Sequence, residues 1–137
     1  MIRVMVVDDH DFVRTMMCEL VDGTDDMQVV AEAPDGGQAL PAAQESKPDV
    51  VLMDLSMPVM NGIDATREIT AWVPEARVIV LTTSTKGQDV HDAAAAGAVG
   101  FLSKGADPDD VLDAIRAVVT QGTAWDRRSA EILRHAG

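Results

Sequence analysis

Apolar residues along the chain gather in five short runs: Ile2–Val7, Met27–Ala33, Val50–Met53, Val78–Leu81 and Val99–Leu102. Four of these are nearly continuous and rich in Val, Ile and Leu, as strands covered on both faces of a parallel sheet must be. The second, MQVVAEA, is more mixed and suits an edge position. Between the runs the spacing becomes helical. Val13, Met16, Met17, Leu20 and Val21 share one face, with Asp11 as the expected N-cap and Gly23 as the stop. Asn61–Val73 places Ile63, Thr66, Ile69 and Val73 together. Gln88–Ala96 is Ala-rich with little apolar bulk, which predicts a weakly anchored helix. Val111, Leu112, Ile115, Val118 and Val119 form a further stripe, opened by Asp107-Pro108 and closed by Gly122. Asp35–Ser46 is helical by position but contains Pro41, so the helix is expected to start late, near Leu40, or to be kinked.

Strands and helices therefore alternate as (βα)5, an α/β pattern that implies a doubly wound parallel sheet with helices on both faces. The tail, Thr123–Gly137, carries Trp125, Ile132 and Leu133 and reads as a last short helix or the start of a linker. The length of 137 residues suits one domain. With 11 Lys and Arg against 23 Asp and Glu, the formal charge of −12 should repel nucleic acid and anionic membranes. The single cysteine, Cys18, excludes an internal disulfide and a Cys-based zinc site. No apolar run reaches the roughly 18–20 residues that span a bilayer.

Ligands of open α/β sheets bind beyond the carboxyl ends of the strands. The five runs end, in order, in Asp8-Asp9, a mixed edge, Asp54, Thr82-Thr83 and Ser103-Lys104. Three carboxylates on one rim repel one another unless cations compensate. Lys104 supplies one positive charge, and Mg²⁺, which favours carboxylates, waters and a phosphate oxygen, could supply two more. Such a rim suits a phosphoryl group carried on a carboxylate. His10, beside the acidic pair, is read as a loop residue that could shape access to the site. His91 and His135 are read as solvated, Trp72 and Trp125 as packing residues, and Asp107, Asp109 and Asp110 as the acidic start of a helix.

Four motifs carry a family resemblance: VMVVDDH (4–10), VVLMDLSMPVMNGID (50–64), VIVLTTS (78–84) and GAVGFLSKG (97–105). Over residues 2–121 the chain resembles the response-regulator receiver domains of two-component signalling. It is most similar to the subfamily that joins a C-terminal helix-turn-helix DNA-binding domain. The resemblance implies a flavodoxin-like fold with strand order 2-1-3-4-5. It implies Asp54 as phosphoacceptor from a sensor histidine kinase, and Asp9, Asp54 and the Ser56 carbonyl as Mg²⁺ ligands, with Asp8 helping through water. Lys104 would pair with a phosphoryl oxygen, Thr82 would hydrogen-bond the phosphoryl group, and Phe101 would be the switch aromatic. The fourth helix, fifth strand and fifth helix would form the readout surface.

The family lysine is often followed by proline in a cis peptide. Here Gly105 follows Lys104, so a cis bond would lack proline's help. The expected organisation is a receiver at 1–122 and, at 123–137, a short helix or the start of a linker to an output domain outside the chain. The expected location is the cytoplasm, with no membrane contact, a homodimer left open, and DNA reached only through an output domain. The expected role is a signalling switch rather than a multiple-turnover enzyme. Rival readings are a phosphorylation-independent interaction module, a stand-alone single-domain regulator and an aspartyl phosphatase. The last lacks the usual second aspartate, because Ser56 lies two residues after Asp54.

Overall fold

In the computed structural model, which describes residues 1–135, six strands and six helices alternate. The strands are β1 (Ile2–Val7), β2 (Met27–Ala33), β3 (Val50–Met53), β4 (Arg77–Thr82), β5 (Gly100–Ser103) and β6 (Ala124–Trp125). The helices are α1 (Asp11–Asp22), α2 (Gly36–Ser46), α3 (Gly62–Trp72), α4 (Gly87–Ala96), α5 (Pro108–Gln121) and α6 (Arg127–Arg134). Every strand pair is parallel and the order is β2-β1-β3-β4-β5-β6. The mixed run is indeed the edge strand β2, and the order is the expected doubly wound one with β6 added beyond β5.

Alternate side chains of each strand go to opposite faces, and each face packs its own helices. Val4, Val6, Val50, Leu52, Ile79 and Leu81 meet Val21 of α1 and Val111, Leu112, Ile115 and Val118 of α5. On the other face, Met5, Val7, Val51, Met53 and Val78 meet Ala39 and Ala43 of α2 and Ala65 and Ile69 of α3. Val80 and Phe101 continue that face beneath Val90 and Ala93 of α4.

Local chemistry differs from the sequence expectations at several points. His10, not Asp11, is the N-cap of α1, and its side chain makes no capping bond. The His10 backbone is extended, while its carbonyl already accepts from the Arg14 N–H at 2.9 Å, so Asp11 falls in the first turn. There the Asp11 carboxylate pairs with Arg14 at 2.7 Å. Helix α2 does not wait for Leu40. Asp35 caps it by accepting from the Gln38 N–H at 2.9 Å, and Pro41 lies inside the helix. The proline removes one donor, the one that would have faced the Gly37 carbonyl, and the flanking bonds hold the turn.

Val119 is 38% exposed, so the buried stripe of α5 is narrower than its spacing predicts. Trp72 is not a packing residue. It is 70% exposed, one position before the buried Val73, and lines a cavity of about 300 Å³ with Lys47, Pro48 and Glu75.

Helix α4 is better anchored than its composition suggests, because Val90 and Ala93 are fully buried. The tail supplies part of that cover. β6 pairs with β5 (Phe101 opposite Trp125), and Trp125, Ile132 and Leu133 pack on the cluster of Val90, Ala93 and Phe101. Arg128 adds a hydrogen bond to the Thr85 carbonyl ahead of α4. Gly97, at φ 108°, ends α4 in the left-handed conformation that glycine tolerates. The tail's last two residues lie outside the described part of the chain.

Candidate functional site

Strand β1 ends one residue before Asp8 and β3 one residue before Asp54, and the two strands are neighbours in register, with Val7 opposite Met53. That pairing brings both carboxylates side by side on the C-terminal rim. The Asp54 N–H donates to the Val7 carbonyl at 3.0 Å, which extends the ladder into the site. Lys104, just past β5, crosses β4 to reach them. Its Nζ lies 2.9 Å from Asp8 Oδ2 and 3.2 Å from Asp54 Oδ1. Among the described residues no peptide bond is cis, so Lys104 makes these contacts with a trans bond to Gly105.

The loop from Leu55 to Asn61 is held close over Asp54. A Cβ on Gly62 would stand 2.0 Å from the Asp54 carbonyl oxygen, so only glycine fits there. The Asn61 side chain caps α3 by accepting from the Asp64 N–H at 2.9 Å. The Met60 N–H donates to the Pro58 carbonyl at 2.8 Å across Val59, whose φ is 72°. A β-branched residue in that region stores backbone strain beside the site.

The electrostatics follow from burial. Asp8 and Asp54 are each 4% exposed. Burial first, and the Asp8 charge second, push the Asp54 carboxyl above its ordinary range, against the opposing pull of Lys104 and the Ser56 N–H. Burial acts to lower Lys104, but its hydrogen bond to Asp8 and the charges of both aspartates outweigh that, leaving its pKa raised. One lysine does not satisfy three carboxylates. Asp54 Oδ2 and Asp9 Oδ1 are buried without a hydrogen-bond partner, a costly state for carboxylate oxygens.

The structure thus brings Asp8, Asp9, Asp54 and Lys104 together. Thr82 ends β4 on the same rim and is 1% exposed, but its hydroxyl accepts from the Ser84 N–H at 3.1 Å. Phe101 is 2% exposed in β5, packed inward beneath α4. Ser56 is exposed in the loop after Asp54. His10, read from sequence as a loop residue, stands 3.1 Å from Asp9 and 3.4 Å from Asp8 through Nδ1. Its adjacency to the acidic pair was the available signal. Cys18 plays no part, since burial pushes its thiol up to about 12.

A doubly wound parallel sheet that holds three aspartates and a lysine on its C-terminal rim defines a flavodoxin-like receiver module. Residues 4–116 match the family model of the response regulator receiver domain, and the chain belongs to that family. It is 42% identical over 118 residues to the response regulator GacA of Pseudomonas viridiflava, covering 86% of this chain and 55% of GacA. It is 39% identical over 141 residues to the transcriptional regulatory protein LiaR of Bacillus subtilis, covering 100% of this chain and 67% of LiaR. A LuxR-family two-component response regulator from Aurantimonas sp. SI85-9A1 superposes with a TM-score of 0.87 at 37% identity, covering 97% of this chain and 93% of that one. The chain spans about half the length of the GacA relatives, 55% in each case. None of its described helices is long and apolar enough to cross a membrane.

Proposed function

We propose that this receiver accepts a phosphoryl group on Asp54 from the phosphohistidine of a sensor kinase. The observation that carries the reading is the unequal treatment of the two Asp54 oxygens. Lys104 holds Oδ1 at 3.2 Å, while Oδ2 is buried without a donor. Held this way, the carboxylate presents one lone-pair oxygen as the nucleophile. Oδ2 attacks phosphorus, the P–N bond to the donor histidine breaks, and its electron pair returns to the imidazole. The product is an acyl phosphate on Asp54.

The carboxylate-rich cluster and the unpartnered Asp9 Oδ1 fit a hard divalent cation. Asp9, Asp54 and the Ser56 carbonyl would hold Mg²⁺, with Asp8 acting through water. When bound, the ion supplies positive charge against the phosphoryl oxygens. Lys104 pairs with one of those oxygens. Thr82 turns its hydroxyl from the Ser84 N–H to the phosphoryl group, and Phe101, already packed inward beneath α4, passes the change to that helix. The change is read on α4, β5 and α5 as a shift between two pre-existing states.

The protein acts as a switch and not as a multiple-turnover enzyme, with residues 1–122 as the receiver. The stretch 123–137 is a C-terminal short helix or the start of a linker to an output domain, through which alone DNA would be contacted. A kinase partner of this kind places the receiver in the cytoplasm. The test is incubation with acetyl phosphate and Mg²⁺ followed by intact mass. One base-labile phosphate is expected on the wild type and none on Asp54→Asn. A wild type that gains no phosphate overturns the reading in favour of a phosphorylation-independent interaction module.

A further inference from the structure

We infer that His10 Nδ1 is itself a ligand of the cation site and shifts its preference from magnesium towards manganese, cobalt and nickel. The inference rests on the reading that the acidic rim binds a divalent cation. His10 Nδ1 lies 3.1 Å from Asp9 Oδ1, yet that oxygen is buried with no hydrogen-bond partner. The two atoms are therefore close without the alignment of a donor and an acceptor.

That is the arrangement of two neighbours on one coordination shell. Bonds of about 2.1 Å place cis ligands about 3.0 Å apart and trans ligands about 4.2 Å apart. The Nδ1 separation of 3.1 Å from Asp9 matches a cis position. One donor atom from each of Asp8, Asp9, His10 and Asp54 lies within 4.8 Å of the others, so Asp9, His10 and Asp54 can close on one ion with small shifts while Asp8 holds a water bound to it. The buried Asp54 Oδ2, also without a partner, is a second observation that the cluster faces an electropositive ligand.

Chemistry then sets the selectivity. Mg²⁺ prefers oxygen and gains little from an imidazole, whereas affinity for mixed nitrogen and oxygen sites rises from Mn²⁺ through Co²⁺ to Ni²⁺. His10 is also free to be tested. Its side chain is 65% exposed and makes no capping bond to α1, so its removal does not break the helix.

The experiment titrates Mg²⁺ and Ni²⁺ into the full chain by calorimetry, comparing wild type, His10→Ala and Asp9→Asn. Pulsed electron paramagnetic resonance of the Mn²⁺ complex gives a second readout. His10→Ala should weaken Ni²⁺ by about tenfold or more while moving Mg²⁺ by less than about twofold. Imidazole nitrogen coupling to Mn²⁺ should be present in the wild type and absent in His10→Ala. Equal loss for both ions, or no nitrogen coupling in the wild type, overturns ligation by His10. If Asp9→Asn abolishes binding while His10→Ala matches wild type, only the His10 inference falls. A wild type that binds neither ion overturns the cation reading along with it.

Discussion

At the N-terminal rim of the sheet, the Arg3 N–H donates to Asp49 Oδ2 at 2.9 Å, and the guanidinium of Arg3 donates to the Ser46 carbonyl at 2.6 Å and to the Lys47 carbonyl at 3.4 Å. Those carbonyls are free ends of α2, and Arg3 satisfies them as a helix C-terminus requires. At the C-terminal rim, one lysine serves two of three carboxylates, and two of the carboxylate oxygens have no donor. The same sheet thus carries one rim whose polar groups are matched and another whose polar groups are left reactive. Polar residues that are fully paired hold the fold together. Polar residues held in place yet unpaired are available to a ligand, at a cost in stability.

The contrast predicts what should happen when each rim is altered. Asp54→Asn should abolish phosphate uptake from acetyl phosphate, while Arg3→Ala should leave it unchanged, as intact mass would show. Lys104→Met should leave the buried carboxylates facing one another and cost about 3 kcal/mol, measured by urea denaturation. Mg²⁺ at a hundred times its dissociation constant should stabilise the wild type by about 2.7 kcal/mol, and Asp9→Asn should lose most of that gain. Arg3→Ala should cost about 1 kcal/mol through its lost bonds to the α2 carbonyls, with no dependence on Mg²⁺.

The smallest effect concerns pH. Because the folded Asp54 pKa is raised, its favourable contribution is complete below the ordinary carboxylate range and is lost as pH rises through the raised value. At neutral pH the ionised Asp54 is therefore a net cost. Asp54→Asn should melt higher than wild type there. The difference should vanish as the pH falls below the ordinary carboxylate range. A variant that melts lower at neutral pH would show that Lys104 outweighs burial and the Asp8 charge.

Much of this was legible before any coordinates. The strand runs were short, β-branched and bounded by helical spacing, so both their type and their parallel pairing followed, while the order 2-1-3-4-5 came from the family resemblance. Asp8, Asp9, Asp54 and Lys104 stood at strand ends, and strand ends of such sheets form one rim. The positions that misled were those where a neighbour decides. Pro41 looked like a helix breaker, but one missing donor is tolerated once Asp35 caps the helix. Trp72 has the composition of a core residue and lies outside the core because the buried face of α3 runs through Ala65, Thr66 and Ile69. The anchoring of α4 was hidden because part of it comes from Trp125, Ile132 and Leu133, three apolar residues in a tail too short to show a period.

The amino-acid order alone determined the alternation of strands and helices, the charge, and which residues end each strand, because these follow from local spacing and chain direction. Tertiary structure decided which oxygens found a donor, where the His10 ring came to rest, and what the tail covers. Those outcomes depend on distances between groups far apart in the chain, and only the packed sheet sets them.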